Sequence, residues 1–286
     1  MRDFTSKKVY ITGGSSGIGR ALAIELARRG AHVYVGARRG DVLQEVVDEC
    51  RAAAPSEDQV FGHVAVDLTD REAVRAAAPE VLEGLGGLDL LISNAGYAIC
   101  GYVHELPDEA YDEMIAINYL AHVDTVRSFL PHFREQHSGH IYLQSSVMGF
   151  VGFIGYAPYT SAKFALHGFA QCLRNELMPF GVEVSIYYAT TTDTPGLQRE
   201  NETKPPETWA LEETSKASSA EDAARDMLRH IQSGRFEGMR FVDPWYMWLV
   251  QRYAPWFIRW FVDSDVRKAI ARHQEGQPGL MDPRGD

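Results

Sequence analysis

At 286 residues, 45% hydrophobic and 23% charged, the chain has the length and composition of a globular protein with a sizeable core. Its formal net charge of −11 argues against nucleic acid as a partner. Three widely spaced cysteines, Cys50, Cys100 and Cys172, form neither a disulfide framework nor a cysteine-rich zinc site, and no metal site is expected. The opening "MRDFTSKKVYITGG" lacks the apolar run of a signal peptide, and no stretch reaches ~18 uninterrupted apolar residues, so a cytoplasmic location is expected.

Short apolar runs then alternate with helical patterns. "KVYIT" (8–12) reads as a strand, followed by a helix over 17–30 stopped by Gly30. "HVYVGA" (32–37) is the second strand, with a helix over about 39–53. "QVFGHVAVD" (59–67) is the third, with a helix from about Asp70. "LDLLISNAG" (88–96) is the fourth, leading into a long helix over roughly 108–135. "GHIYLQSS" (139–146) is the fifth, followed by a helix over 159–181 that ends at Gly181, and "VEVSIYYA" (182–189) is the sixth. Strands this apolar, alternating with helices, predict a parallel sheet covered on both faces. Segment 190–218, rich in Thr, Glu, Pro and Ser, reads as a loop-like insertion long enough to have a function.

Four places carry candidate chemistry. "TGGSSGIG" (12–19) puts Gly13, Gly17 and Gly19 between a strand and its helix, where the backbone can approach a pyrophosphate at the helix N-terminus. The spacing is not G-x-G-x-x-G, and a plain glycine-rich turn is the alternative. At the end of the second strand stand Arg38 and Arg39, with no acid to take a ribose hydroxyl; guanidinium suits a 2′-phosphate and favours NADPH, the alternative being two solvated arginines. "SNAG" (93–96) is either an ordinary turn or a wall beside the cofactor. Ser146 precedes Tyr159 and Lys163, which share a helix face at i, i+4. A lysine ammonium there would lower the tyrosine pKa, the serine would hold a carbonyl, and Asn118 would complete a water-linked proton relay.

Together "TGGSSGIG", "SNAG", Asn118 in "INYL", the serine pair ending at Ser146 and "YTSAK" resemble the classical short-chain dehydrogenase/reductases over about residues 7–235. The resemblance implies an α/β fold: a Rossmann-type doubly wound parallel sheet of about seven strands with helices on both faces. It implies a tetrad of Asn118, Ser146, Tyr159 and Lys163, with the 4-pro-S hydride of NADPH passing to a ketone carbon. The implied cofactor residues are Gly13, Ser15, Ser16, Gly17, Ile18, Gly19, Arg38, Arg39, Asp67, Leu68, Asn94, Ala95, Gly96, Tyr159, Lys163, Thr192 and Thr194, with Asp67 at the adenine and Thr194 at the nicotinamide carboxamide. A homo-oligomer, dimer or tetramer, is also implied. Ala189-Thr190 replaces the Pro-Gly that the family usually carries after the sixth strand.

A narrower resemblance lies in "TDTPG" (192–196), "ENETKPPET" (200–208), "LEETS" (211–215) and the stretch 152–170. These are similar to 3-ketodihydrosphingosine reductases, which use NADPH to reduce a long-chain 2-amino-3-keto lipid to dihydrosphingosine; eukaryotic members carry additional membrane segments. A reductase of another lipophilic ketone (steroid, retinoid or acyl) and a non-catalytic NADPH-binding scaffold stay open as alternatives.

The last feature is "WYMWLVQRYAPWFIRWF" (245–261), with eight aromatic residues in seventeen. It is too short and too charged to span a bilayer, and Pro255 is expected to divide it into two short helices. Residues 245–273 hold five Arg/Lys against two acids. Trp245, Trp248, Trp256 and Trp260 beside Arg252 and Arg259 fit an interfacial anchor, peripheral on the cytoplasmic face of a membrane. A subunit interface or a lid on the core fits the same composition. The expected division is a reductase domain over 1–243 and an aromatic, basic helical extension over 244–286.

Overall fold

A computed structural model of the chain describes residues 1–212, 217–240 and 244–274. The first five strands are β1 (Lys8–Thr12), β2 (His32–Ala37), β3 (Phe61–Ala65), β4 (Leu90–Ser93) and β5 (His140–Ser146). Three helices fall between the first four, namely α1 (Gly17–Arg28), α2 (Gly40–Ala53) and α3 (Arg71–Leu85). Between β4 and β5 run α4 (Asp108–Ile115), a wider π turn over Ala116–Leu120, and α5 (Ala121–Gln136). Helix α6 (Ala157–Leu177) leads to β6 (Glu183–Ala189). The expected insertion is not a bare loop: it holds β7 (Thr192–Asp193), α7 (Pro195–Asn201), α8 (Pro206–Glu212) and β8 (Ser218–Ser219). Helix α9 (Ala220–Ser233) and β9 (Glu237–Met239) close the sheet, followed by α10 (Pro244–Tyr253) and α11 (Pro255–Gln274).

Among the described residues the main sheet has seven strands in the order β3-β2-β1-β4-β5-β6-β9, all parallel. The alternation of side chains along each strand splits the core in two. Val9, Ile11, Leu90, Ile92 and Tyr142 pack with α1, α2 and α9 on one face. Tyr10, Leu91, Ile141, Leu143 and Ile186 pack with α3, α5 and α6 on the other. Period-2 burial on both sides is why these strands read as continuous apolar runs. Local chemistry sets the helix limits: the Asp70 side chain accepts from the N–H groups of Glu72 and Ala73 at the start of α3, and Gly86 ends it at φ 66°.

After β3 the chain crosses back to lay β4 beside β1, which reverses the winding direction and opens a crevice at the carboxyl ends of β1 and β4. A side-chain clamp holds its walls together. Buried Thr12 accepts through its hydroxyl from the backbone of Asn94 (3.0 Å) and Ala95 (3.3 Å), and the Asn94 amide donates back to the Thr12 carbonyl (3.0 Å).

The C-terminal helices differ from expectation. They break at Ala254, before Pro255, but α11 is 20 residues long, not short, because the proline sits at its first turn, where a missing N–H costs nothing. The pair is tied to the rest of the chain: Gln251 donates to the Phe150 carbonyl (2.7 Å), and α11 packs against α8. Tyr246, Tyr253, Trp256, Phe257 and Trp260 face outward. The side chains of Trp245, Trp248 and Arg252 lie outside the described residues, as does the expected boundary at 241–243. Among the described residues no helix is long and apolar enough to cross a membrane.

Candidate active site

A cleft of about 530 Å³ opens at the carboxyl edge of the sheet, over the ends of β1 and β4. The glycine turn forms its floor. A Cβ on Gly13, whose φ is 70°, would lie 2.8 Å from Ala95 Cα, and one on Gly19 would lie 2.2 Å from the Gly13 carbonyl, so the turn and the end of β4 touch only because side chains are absent. The N-terminus of α1 faces the cleft without a side-chain cap at Ser16 and without an acid in its first turn. Its free N–H groups and positive dipole end suit a phosphate.

The remaining walls hold most of the residues that the sequence singles out. Ser15, Ser16, Gly17 and Ile18 line the floor; Arg38, Arg39, Asp67 and Leu68 line one end; Asn94, Ala95 and Gly96 form the back; Ser146, Tyr159, Thr192 and Thr194 line the other end. The backbone N–H of Thr69 and its hydroxyl hold the Asp67 carboxyl below its usual range. The Thr194 hydroxyl accepts from Leu197 N–H (3.3 Å) and caps α7, while Thr192 donates to the Thr190 carbonyl (2.9 Å).

Lys163 and Asn118 stand behind this wall, out of contact with the open cleft. Lys163 is buried and donates to the Gln144 carbonyl (3.3 Å). Asn118 is fully buried in the π turn, where its amide donates to the Tyr97 carbonyl (2.9 Å). Its Oδ1 has no hydrogen-bond partner among the described residues. A buried, unpaired acceptor is a place for a water.

One expectation needs correcting. Lys163 does not depress the Tyr159 pKa through the chain's own groups. Burial pushes the Tyr159 hydroxyl well above its usual value, with only a Ser146 hydrogen bond pulling it down. The lysine nitrogen sits 5.6 Å from the centre of the Tyr159 ring, over its face. Burial in turn pushes Lys163 down to about 7, because an ammonium is costly to desolvate.

Residues that the sequence did not single out also line the cleft: Tyr156, Glu200 and Glu212. The Tyr156 hydroxyl donates to Glu200 and reaches Glu212. The acidic character of the insertion was a signal for this, but spacing along the chain does not reveal that two of its acids meet one tyrosine.

The floor and the uncapped helix fit a nicotinamide dinucleotide, and Ser146 with Tyr159 fits a carbonyl beside it. This arrangement fits a dehydrogenase or reductase with a dinucleotide at the glycine turn and a carbonyl beside Tyr159. The family model described as short chain dehydrogenase matches residues 7–205, and the chain belongs to that family. Within it, the chain is similar to the 3-ketodihydrosphingosine reductase of Bos taurus, at 35% identity over 80% of this chain and 69% of that one. It is equally similar, at 35% identity with the same coverage, to the 3-dehydrosphinganine reductase of Danio rerio. A short-chain dehydrogenase/reductase from Burkholderia phymatum, solved in complex with NAD, superposes with a TM-score of 0.74 at 26% identity, covering 84% of this chain and 90% of that one.

Proposed function

We propose that this enzyme reduces the ketone of 3-ketodihydrosphingosine to dihydrosphingosine with NADPH. The observation that carries the reading is the cleft in which Ser146 and Tyr159 meet the insertion 190–212, the segment whose sequence resembles that reductase group. When bound, the dinucleotide supplies the hydride that ends on the ketone carbon. The chain supplies the rest. Ser146 donates a hydrogen bond to the carbonyl oxygen and fixes its position. Tyr159 gives its proton to the same oxygen, so ketone, hydride and proton together make the alcohol. Its raised pKa keeps it protonated until that moment. Lys163, poised at about 7, returns a proton toward Tyr159, and Asn118 Oδ1 orders a water in the same path. The exposed Arg38 and Arg39 support the NADPH preference through charge-assisted hydrogen bonds to a 2′-phosphate.

The outward aromatic face of α10 and α11 supports contact with a lipid surface. Because α11 packs on α8, that face is joined to the substrate side of the cleft. The test is cofactor oxidation with 3-ketodihydrosphingosine in mixed micelles, with NADPH and NADH in parallel and the product identified by mass spectrometry. Dihydrosphingosine formed faster with NADPH is the expected result; reduction of other lipophilic ketones but not this one would reject the reading.

A further inference from the structure

We propose that Arg199 binds the cofactor: its guanidinium takes the pyrophosphate of the dinucleotide from the side opposite the glycine turn. This rests on the dinucleotide site described above and on no particular ketone. Arg199 stands in the insertion, on α7, and lines the cleft. Gly196, Arg199 and Glu200 share one face of that helix at i, i+3 and i+4, and all three meet the cleft. The helix starts against the phosphate floor. A Cβ on Gly17 would lie 3.0 Å from Thr194 Cγ2, so the cap of α7 touches the first turn of α1. Arg199 lies only ~7 Å further along the axis of α7. Helical side chains lean toward the N-terminus of their helix, which here is the direction of the floor.

The charges agree with the geometry. The Arg199 guanidinium is exposed, and among the described residues no acid pairs with it. The acids lining the cleft are engaged elsewhere, Asp67 by Thr69, and Glu200 and Glu212 by Lys204. Arg38, also exposed, lines the cleft from the end of β2.

An independent observation brings the two arginines to one place. Burial and the Glu113 hydrogen bond raise the Tyr97 hydroxyl to about 12, and Arg38 and Arg199 both pull it back. Cations from two walls of an open cleft therefore act on the same point of its lining. Like charges facing across a gap repel, and an anion between them turns that repulsion into attraction on both sides. A pyrophosphate at the N-terminus of α1 is such an anion. The guanidinium fork also matches phosphate oxygens in geometry. Bound dinucleotide would thereby tie α7, and with it one wall of the substrate site, to the glycine turn.

The test is a fluorescence titration of NADPH and NADH against wild-type enzyme, Arg199→Ala and Arg199→Lys, with no ketone present. Arg199→Ala should raise Kd for both cofactors by a like factor, about tenfold, the size of one charge-assisted contact. Arg199→Lys should recover only part of the loss, because lysine carries the charge without the fork. An unchanged Kd for both cofactors in Arg199→Ala would overturn the inference. A loss confined to NADPH would also overturn it, by putting Arg199 at the 2′-phosphate. Hydrogen exchange on the wild-type enzyme decides the question even if the variants do not fold. ADP-ribose, which holds the pyrophosphate without the nicotinamide, should slow exchange across α7, and adenosine 2′-phosphate should not. No slowing by ADP-ribose would overturn the inference while leaving the dinucleotide site standing. Binding of neither dinucleotide to the wild-type enzyme would overturn both.

Discussion

The two walls of the cleft are built on opposite plans. The sheet edge carries Ser146 on a strand end and Tyr159 on α6, both held by a core of interleaved apolar side chains. The facing wall, α7 and α8, carries among the described residues a buried network of Lys204, Glu200, Glu212 and Tyr156, with Thr208 donating to the Ile154 carbonyl (2.9 Å). An apolar core holds its shape whatever the ligand. A polar network is sensitive to every charge brought near it. The difference sets Ser146 and Tyr159, the side chains of the proposed reduction, on the wall that keeps its shape, opposite a wall whose charges respond to what binds.

The largest break in that comparison should come from Tyr159→Phe. It removes only the acid, so kcat should fall by about 10²- to 10⁴-fold while cofactor affinity, followed by fluorescence titration, stays within a few-fold. Turnover near the wild-type level would move the acid to the other wall, with Tyr156 the next residue to test.

Lys163→Met should cost turnover about 10²-fold and, unlike most site variants, stabilise the fold. The sign follows from the pKa of Lys163, which falls from about 10.5 in the unfolded chain to about 7 in the folded one. Below about pH 7 both states carry the proton, and the folded state bears the full cost of a buried ammonium. Between about 7 and 10.5 the unfolded chain binds more protons, so wild-type stability rises with pH and the cost fades. The gain in Tm, roughly 2–4 °C for each kcal/mol relieved, should therefore be largest near pH 6 and shrink by pH 9.5. An unchanged or lowered Tm at pH 6 would show that Lys163 is well compensated.

Arg38→Ala should raise KM for NADPH by about tenfold and leave NADH nearly unaffected, since only the former carries a 2′-phosphate. Equal weakening would shift the preference to Arg39. The smallest effect is expected farthest from the cleft. Trp256→Ser with Trp260→Ser should reduce sedimentation with anionic vesicles by a few-fold, with little change in turnover in detergent micelles. Unchanged vesicle association together with a change in oligomeric mass would assign this face to a second copy of the chain.

Much of the apolar wall was legible in the sequence, because its information is local. Period-2 burial marks the strands, Asp70 and Gly86 bound α3, and Tyr159 and Lys163 are one helical turn apart. The glycine turn and both arginines fall where their spacing placed them. The polar wall was not legible. Glu200 and Glu212 converge on Tyr156 from 44 and 56 residues away, and no local period encodes such a meeting. Strand β9 has three residues and no apolar alternation, so only its pairing with β6 reveals it. The Tyr159 pKa was misjudged for a related reason: spacing along α6 shows that a lysine is near, but not that it lies over the ring, nor how little water reaches either group.

The π turn over Ala116–Leu120 has a genetic consequence. A π turn is an α-helix with one residue too many. Loss of a single codon there would let α4 and α5 join as regular helix, with the fold, the hydrophobic core and the expression level all preserved. The helices on either side would keep the faces they bury, because the π turn is where the extra residue is absorbed, so the change falls on the turn's own residues. Asn118 would swing away from the Tyr97 carbonyl, and its free acceptor would leave the proton path. An in-frame deletion that looks harmless by every measure of folding would then be a null allele for turnover.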